Sequence, residues 1–354
     1  MESGERGKKQ FYYVSVLSVI SALAVVILHS NTAFWLYRED GAWLFNNVVE
    51  SLFYFAVPIF FMITGVTLFD YQDRYDTKTF FKHRFSKVLI PFIFWSFFGL
   101  FFYGVLREQR FSLDFVSIWN DFFGHQYVGI FWFFLPLICI YLSVPLFASI
   151  EKKKKDRIMI YLAGAGLFIN VLIPFILSVI GFFCEKKLVW GFALDVVGGF
   201  LIYPILGYIL HEKELTQKQR YWIYGLAICG LSVHMLGTYY LSRHDGMIVD
   251  LFKGYKNLPC ILYSMGIFVF IKQISNYKIL QKMKKLVLYL SKYTFAFYLI
   301  HSFVLVYLTD MFVSIGISAT SKKYVLLAFI LTIPICLVLT WLIRKIPGGK
   351  KILP

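Results

Sequence analysis

Charge is scarce in this sequence. Only 16% of its 354 residues are Asp, Glu, Lys or Arg, with 20 acidic residues against 36 basic ones. A water-soluble domain carries about 25% charged and about 45–50% apolar residues, whereas this chain is 59% hydrophobic and 20% aromatic. That excess does not fit inside one water-soluble core of this size, so lipid must solvate much of it. Cysteine is sparse too. Cys139, Cys184, Cys229, Cys260 and Cys336 form no CxxC pair and no Cys/His cluster with metal spacing, so neither a metal nor dithiol redox chemistry is expected. No internal repeat, low-complexity tract or soluble domain is visible. The apolar stretch from Phe11 lacks a small-residue cleavage site and is long enough to span, so it reads as a retained first helix rather than a signal peptide. The net charge of +16 does not point to nucleic acid, because the basic residues are dispersed between long apolar runs instead of forming one patch.

What the sequence does have is a series of long apolar runs. A helix needs about 20 apolar residues to cross the hydrocarbon core. Runs at roughly 11–31, 47–69, 88–106, 128–149, 158–182, 188–210, 221–241, 257–273, 294–314 and 324–343 predict about ten spans, all helical because backbone in lipid must satisfy its own hydrogen bonds. The expected fold is therefore an all-α polytopic bundle, one domain over 1–354 with tails near 1–10 and 344–354. Most lysines and arginines fall in alternate loops: Arg6, Lys8 and Lys9, then Arg74 to Lys87, Lys152 to Arg157, Lys213 to Arg220, Lys272 to Lys292, and Arg344 to Lys351. By the positive-inside rule these segments and both termini are cytoplasmic, in a multi-pass plasma-membrane protein. The segment 107–127 is the longest expected loop, outer and aromatic, with Phe111, Phe115, Trp119, Phe122 and Phe123. Segment 274–293 reads as a basic amphipathic helix on the inner surface.

Ionisable groups inside spans are functional candidates by default. Four stand out: His29 near the outer end of helix 1, Glu50 near the outer start of helix 2, Asp195 about two turns into helix 6, and His301 in helix 9. A histidine oriented by a carboxylate suits removal of a proton from a hydroxyl. The bland alternative has Glu50 reaching to the interface and His29 capping a helix end. The run Lys82, His83, Arg84 and Lys87 reads either as topology determinants or as a phosphate dock. Outer tryptophans such as Trp35, Trp43, Trp119 and Trp190 fit an interfacial belt, whereas Trp132 is a candidate for stacking on a sugar ring.

Several separated motifs, in order, resemble the membrane-bound acyltransferase-3 family. Helix 1 ends in Ala24-Val25-Val26-Ile27-Leu28-His29-Ser30, like the family segment that ends in its catalytic His. Val57-Pro58-Ile59-Phe60-Phe61-Met62-Ile63-Thr64-Gly65 is similar to VPLFFxxSG. Phe81 to Pro91 looks like the basic RxxR motif followed by a proline that opens helix 3. Phe131-Trp132-Phe133-Phe134 with Tyr141 and Pro145, then Leu206-Gly207-Tyr208, and finally Tyr298-Leu299-Ile300-His301 complete the set, across about 11–310. The sequence departs from the pattern at Ser18 and Tyr54, where family members carry arginine, and in the reduced Arg84-Phe85-Ser86-Lys87 motif.

The resemblance implies transfer of an acyl group, acetyl or succinyl, from cytoplasmic acyl-coenzyme A (acyl-CoA) to a hydroxyl of an extracytoplasmic or lipid-linked glycan. It implies His29 as base or relay at that hydroxyl, and Glu50, a candidate by its position in helix 2, is taken as its catalytic partner. Arg84 and Lys87, aided by Lys82 or His83, would hold coenzyme A. Trp132 and His301 would shape the route, and Asp195 and Tyr298 are further candidates for substrate or pathway contact. The alternative is a transporter or catalytically altered binding module on the same frame that moves a small solute or lipid-linked glycan. The other family of membrane O-acyltransferases, with a mid-chain Asn and His, fits poorly because no long central loop carries that pair.

Overall fold

The computed structural model of the protein describes residues 11–107, 114–124 and 128–354. Arg6, Lys8, Lys9 and Phe111 lie outside the described residues. The architecture is helical throughout, with no strand among the described residues. Among the described residues, seven helices are long and apolar enough to cross a membrane: Tyr12–Ser30, Gly41–Leu68, Thr77–Leu106, Gly129–Ala148, Lys152–Phe183, Thr294–Ser314 and Lys322–Lys345.

The first half runs α1 (Tyr12–Ser30), α2 (Gly41–Phe53), α3 (Ala56–Leu68), α4 (Thr77–Phe101), α5 (Phe115–Gly124), α6 (Phe134–Ala148), α7 (Lys152–Gly166) and α8 (Ile173–Phe183). Helix α2 opens at Asp40, whose carboxylate accepts from the Trp43 amide at 2.7 Å, an N-cap. It yields at Tyr54 and Phe55 and resumes as α3, because Pro58 has no N–H for the Tyr54 carbonyl. Helix α4 begins at Thr77, capped by Asp76, well before the residue 88 start that hydropathy suggests. Pro91 therefore sits in the helix interior and does not open it. The expected outer loop 107–127 contains α5, whose Phe122 packs edge-on against Phe97 of α4 at 4.9 Å.

The second half runs α9 (Ile202–Glu212), α10 (Gln217–Ser232), α11 (Thr238–Asp245), α12 (Leu258–Ile274), α13 (Lys278–Lys282), α14 (Lys284–Leu290), α15 (Thr294–Ser314), α16 (Lys322–Lys345) and α17 (Gly349–Ile352). The expected span 188–210 is only half helical. Residues 187–194 are irregular, Asp195–Val197 form a single 3₁₀ turn, and Gly199 takes a left-handed φ of 59° just before α9 begins at Ile202. Asn170 pins this stretch, donating to the Leu194 carbonyl at 2.9 Å and accepting from its amide at 2.8 Å. Helices α10 and α11 join through a π turn into one continuous run from Gln217 to Asp245. The expected amphipathic segment 274–293 forms α13 and α14, with Ile279, Met283 and Leu286 exposed.

Basic segments among the described residues meet at one end of the bundle. There Lys155 Nζ, 1% exposed as a residue, donates to the Phe69 carbonyl and to Asp70, each at 2.6 Å. Lys213 pairs with Asp156 at 2.5 Å, and Arg344 donates to the Lys292 carbonyl at 3.1 Å. At the opposite end Arg107 pairs with Asp310 at 2.5 Å, and Arg38 donates to the Thr320 carbonyl at 3.2 Å.

Helix α1 runs through the middle, packed on α3, α15 and α16. Helices α3 and α9 meet backbone to backbone. A Cβ on Gly65 would lie 1.9 Å from the Pro204 carbonyl oxygen, and one on Gly207 would lie 2.2 Å from that of Met62. Small residues permit such approach inside a membrane, where van der Waals packing drives helix association. Gly65→Ala or Gly207→Ala is therefore expected to destabilise the fold by about 1–3 kcal/mol, as overpacking does. Gly164→Ala, where nothing lies within 4 Å, serves as control. Thermal melts in detergent check this, and equal melting of Gly65→Ala and Gly164→Ala would contradict it.

Candidate active site

Two cavities lie end to end inside the bundle. The first, of about 440 Å³, is lined by Arg84 and Lys87 of α4, Lys292, Ser18, Thr64 and Tyr141 among others. The second, of about 220 Å³, is lined by His29, Glu50, Thr32, Trp35, Tyr54, Trp132 and Tyr255 among others. Both have Val25, Val57, Phe133 and Tyr298 in their walls. Helix α1 traverses both: Ser18 faces the first, Val25 the shared neck and His29 the second. These three fall at i, i+7 and i+11 on one helical stripe, and Ser18 and His29 are roughly 16 Å apart along the axis.

His29 stands in the last turn of α1, its ring 5.1 Å from that of His301. His301 is fully buried. Its Nδ1 lies 2.8 Å from the Phe297 carbonyl. A carbonyl only accepts, so Nδ1 carries a hydrogen, and Nε2 is the ring's remaining polar atom. That Nε2 is buried without a hydrogen-bond partner. Tyr298, one turn earlier on α15, donates its hydroxyl to the Ile130 carbonyl.

Glu50 is 5% exposed. It does not hydrogen-bond to His29. Asn31, at the end of α1, donates to Glu50 at 3.1 Å and to the Asn46 carbonyl at 2.9 Å, tying the carboxylate to the helix that carries His29. Behind Glu50 lies Lys253, from the stretch between α11 and α12, also 5% exposed. Its ammonium donates to Ser51 Oγ at 3.2 Å and His234 Nε2 at 3.1 Å, and sits 4.6 Å from the Phe34 ring centre. Burial pushes Lys253 below the ordinary lysine value, and the charge of Glu50 opposes that shift. Trp132 stacks on Tyr255 at 5.4 Å and Tyr255 on Tyr54 at 4.4 Å, which gives the second cavity an aromatic wall.

Of the residues singled out in the sequence, Arg84, Lys87, His29, Glu50, Trp132 and Tyr298 line the two cavities, and His301 lies against His29. Arg84 sits beside Tyr141, with its Nε buried and without a partner. Lys82 and His83 are exposed and line neither cavity; His83 packs edge-on to Tyr75 at 5.4 Å. Asp195 is exposed in the 3₁₀ turn, not two turns inside a helix at the depth of His29.

Sequence reasoning missed Lys253, His234, Asn31, Tyr255 and Lys292. His234 falls inside the expected span 221–241, so the rule that selected His29 also covers it. Nothing local distinguishes Lys253 from other loop lysines. Removing one member of a buried charge set costs about 3–5 kcal/mol, because its counter-charge stays buried and unpaired. Lys253→Met is thus expected to lower the melting temperature strongly, and adding Glu50→Gln to recover much of the loss. A double variant no more stable than Lys253→Met alone would rule out coupling between these groups.

The acyltransferase-3 family model, described as an acyltransferase domain, matches residues 11–341. No curated protein and no solved structure matches the chain.

Proposed function

The chain belongs to the acyltransferase-3 family, matched over residues 11–341, and from that membership we propose that it carries an acyl group from acyl-CoA to a hydroxyl of an extracytoplasmic or lipid-linked glycan, acting in the plasma membrane. The observation that carries this reading is the pair of cavities: cations line one, His29 lines the other, and the two share a wall.

Arg84, Lys87 and Lys292 suit an anionic, phosphate-bearing donor. The buried, unpartnered Nε of Arg84 is a donor for which a phosphate oxygen supplies an acceptor. The thioester then points toward the neck. In the second cavity the Trp132–Tyr255–Tyr54 wall fits the apolar face of a sugar ring. His29 takes the proton of the acceptor hydroxyl, and the oxygen attacks the thioester carbonyl carbon. The new C–O bond forms as the C–S bond breaks, and His29 returns the proton to the departing thiolate. His301 is a positioning residue that fixes the His29 ring, and Glu50 orients the acceptor.

The positive-inside rule places the basic end and both termini in the cytoplasm. With the 187–212 segment that ends in α9, the 217–245 run and α12 added to the long helices, the chain makes about ten crossings. In intact cells, a cysteine placed at Glu39 is then expected to react with a membrane-impermeant thiol reagent. One placed at Lys153 is not, in a background lacking the native cysteines. The reverse pattern would invert the topology.

A carrier reading also has an observation behind it, since two chambers on either side of a neck suit a solute that passes through. His29 separates the two. Purified protein is expected to bind acetyl-CoA or succinyl-CoA saturably, with Arg84→Ala weakening binding by about tenfold or more, the loss of a charge-assisted contact. His29→Ala is expected to keep binding and lose transfer by about 10²–10⁴-fold, the usual contribution of a general base. Full function in His29→Ala would favour the carrier.

A further inference from the structure

The neck between the cavities is formed by the four residues that line both. Its four residues come from four different places: Val25 from α1, Val57 from the first turn of α3, Phe133 from the turn before α6, and Tyr298 from α15. All are buried, at 4–7% exposure. Phe133 is clamped, stacked on Phe61 at 4.8 Å and set against Tyr298 at 5.3 Å. The one polar atom among the four side chains, the Tyr298 hydroxyl, is committed to the Ile130 carbonyl. The neck therefore offers no free hydrogen-bond donor and no cation.

Charge on either side sharpens the point. Arg84, Lys87 and Lys292 all belong to the first cavity. In the second, Glu50 is the one acidic or basic lining residue besides His29 among the described residues. Lys253, behind it, is not a lining residue and is engaged by Ser51 and His234.

We propose that Val25, Val57, Phe133 and Tyr298 are the residues that select the acyl group, passing short uncharged acyl chains and rejecting chains that are longer or end in a carboxylate. This inference rests on the acyltransferase reading. To meet a hydroxyl activated by His29, the thioester carbonyl must sit at the neck, with the acyl chain inside it or just beyond. A terminal carboxylate there is buried without a partner and faces Glu50, both unfavourable. A chain with extra methylenes meets four side chains packed from four directions, and protein interiors resist overfilling.

The test uses the purified full-length protein in nanodiscs with acetyl-, butyryl- and succinyl-CoA as donors, and reads acyl transfer and coenzyme A binding separately. The wild type is expected to use succinyl-CoA at least about 100-fold less well than acetyl-CoA, the scale of an unpaired buried charge. Val57→Ala and Val25→Ala are expected to raise the butyryl-to-acetyl ratio of kcat/KM by about tenfold or more, the scale of methylene discrimination in an apolar pocket. Succinyl transfer is expected to stay poor, because widening adds no cation. Phe133→Leu is a second widening variant that keeps apolar packing on Phe61 if an alanine variant fails to fold. Comparable use of acetyl and succinyl by the wild type overturns the proposal. So does an unchanged butyryl ratio in variants that still bind coenzyme A. No transfer from any thioester by folded, coenzyme-binding wild type overturns the acyltransferase reading itself, and the selection proposal with it.

Discussion

Everything in the interior depends on how closely α3 and α9 approach. Gly65 and Gly207 put the two backbones in direct contact, an arrangement any larger side chain would wedge apart. Helix α9 has eleven residues, roughly 16 Å of helix, against a hydrocarbon core of about 30 Å. It does not cross alone and is held by what it packs on. Pressing one face of α3 onto α9 leaves the other face free, and that face supplies Val57, Phe60, Ile63, Thr64 and Thr67 to the cavity walls. The glycine contact thus sets the position of one whole side of the route through the bundle.

A second constraint is electrostatic. Glu50, Lys253 and His234 lie within the bundle at 5%, 5% and 0% exposure. In an apolar surrounding such groups are tolerated when they neutralise or hydrogen-bond one another. Each element at that end contributes one piece: α1 through Asn31, α2 through Glu50 and Ser51, the π turn through His234, and the α11–α12 stretch through Lys253. The network joins the loop to the helices and holds a carboxylate in the chamber that contains His29. The polar chamber and the fold at that end are one construction.

Hydropathy made some of this visible and hid the rest, for reasons that can be named. The long uninterrupted runs, such as 11–31 and 294–314, became α1 and α15 nearly as bounded. The run 188–210 looks no different to a hydropathy window, yet Gly198-Gly199 breaks it, because apolarity measures solvent and not backbone conformation. Helix α4 extends into charged sequence because its cap, Asp76, lies there, and hydropathy does not register caps. On that helix Arg84, Lys87 and Val88 share a face at i, i+3 and i+4 and reach the first cavity. Lys82 lies across the helix from that face, whereas His83 neighbours Lys87 on it but packs against Tyr75 instead of the cavity. Helical phase thus separates Lys82 from Arg84 and Lys87, and a ring contact diverts His83. Lys253 was illegible for a different reason. Its burial arises from a fold-back between α11 and α12 that no local pattern announces.

The two departures from the family pattern acquire a meaning in three dimensions. Ser18 lines the first cavity and Tyr54 the second, so both substitutions remove charge from the route itself. In each case a lysine from a distant part of the chain stands nearby. Lys292 lines the same cavity as Ser18, and Lys253 Nζ lies 5.7 Å from the Tyr54 ring centre. The two relocations differ in kind. Lys292 remains in the cavity wall, where its ammonium can meet an anionic donor. Lys253 is withdrawn behind the Tyr54 and Phe34 rings, bonded to Ser51 and His234. Its field still reaches Glu50, but its hydrogens are engaged away from the chamber. Positive charge is thus kept at the surface of the first cavity and held back from that of the second. An arginine at position 54 would put a guanidinium where this chain has an aromatic face. In its place the second chamber has Tyr54 stacked on Tyr255 and Tyr255 on Trp132, a surface suited to the C–H face of a sugar ring and not to a phosphate. On the proposed acyltransferase reading, the cationic cavity then faces the anionic donor and the aromatic one the acceptor ring.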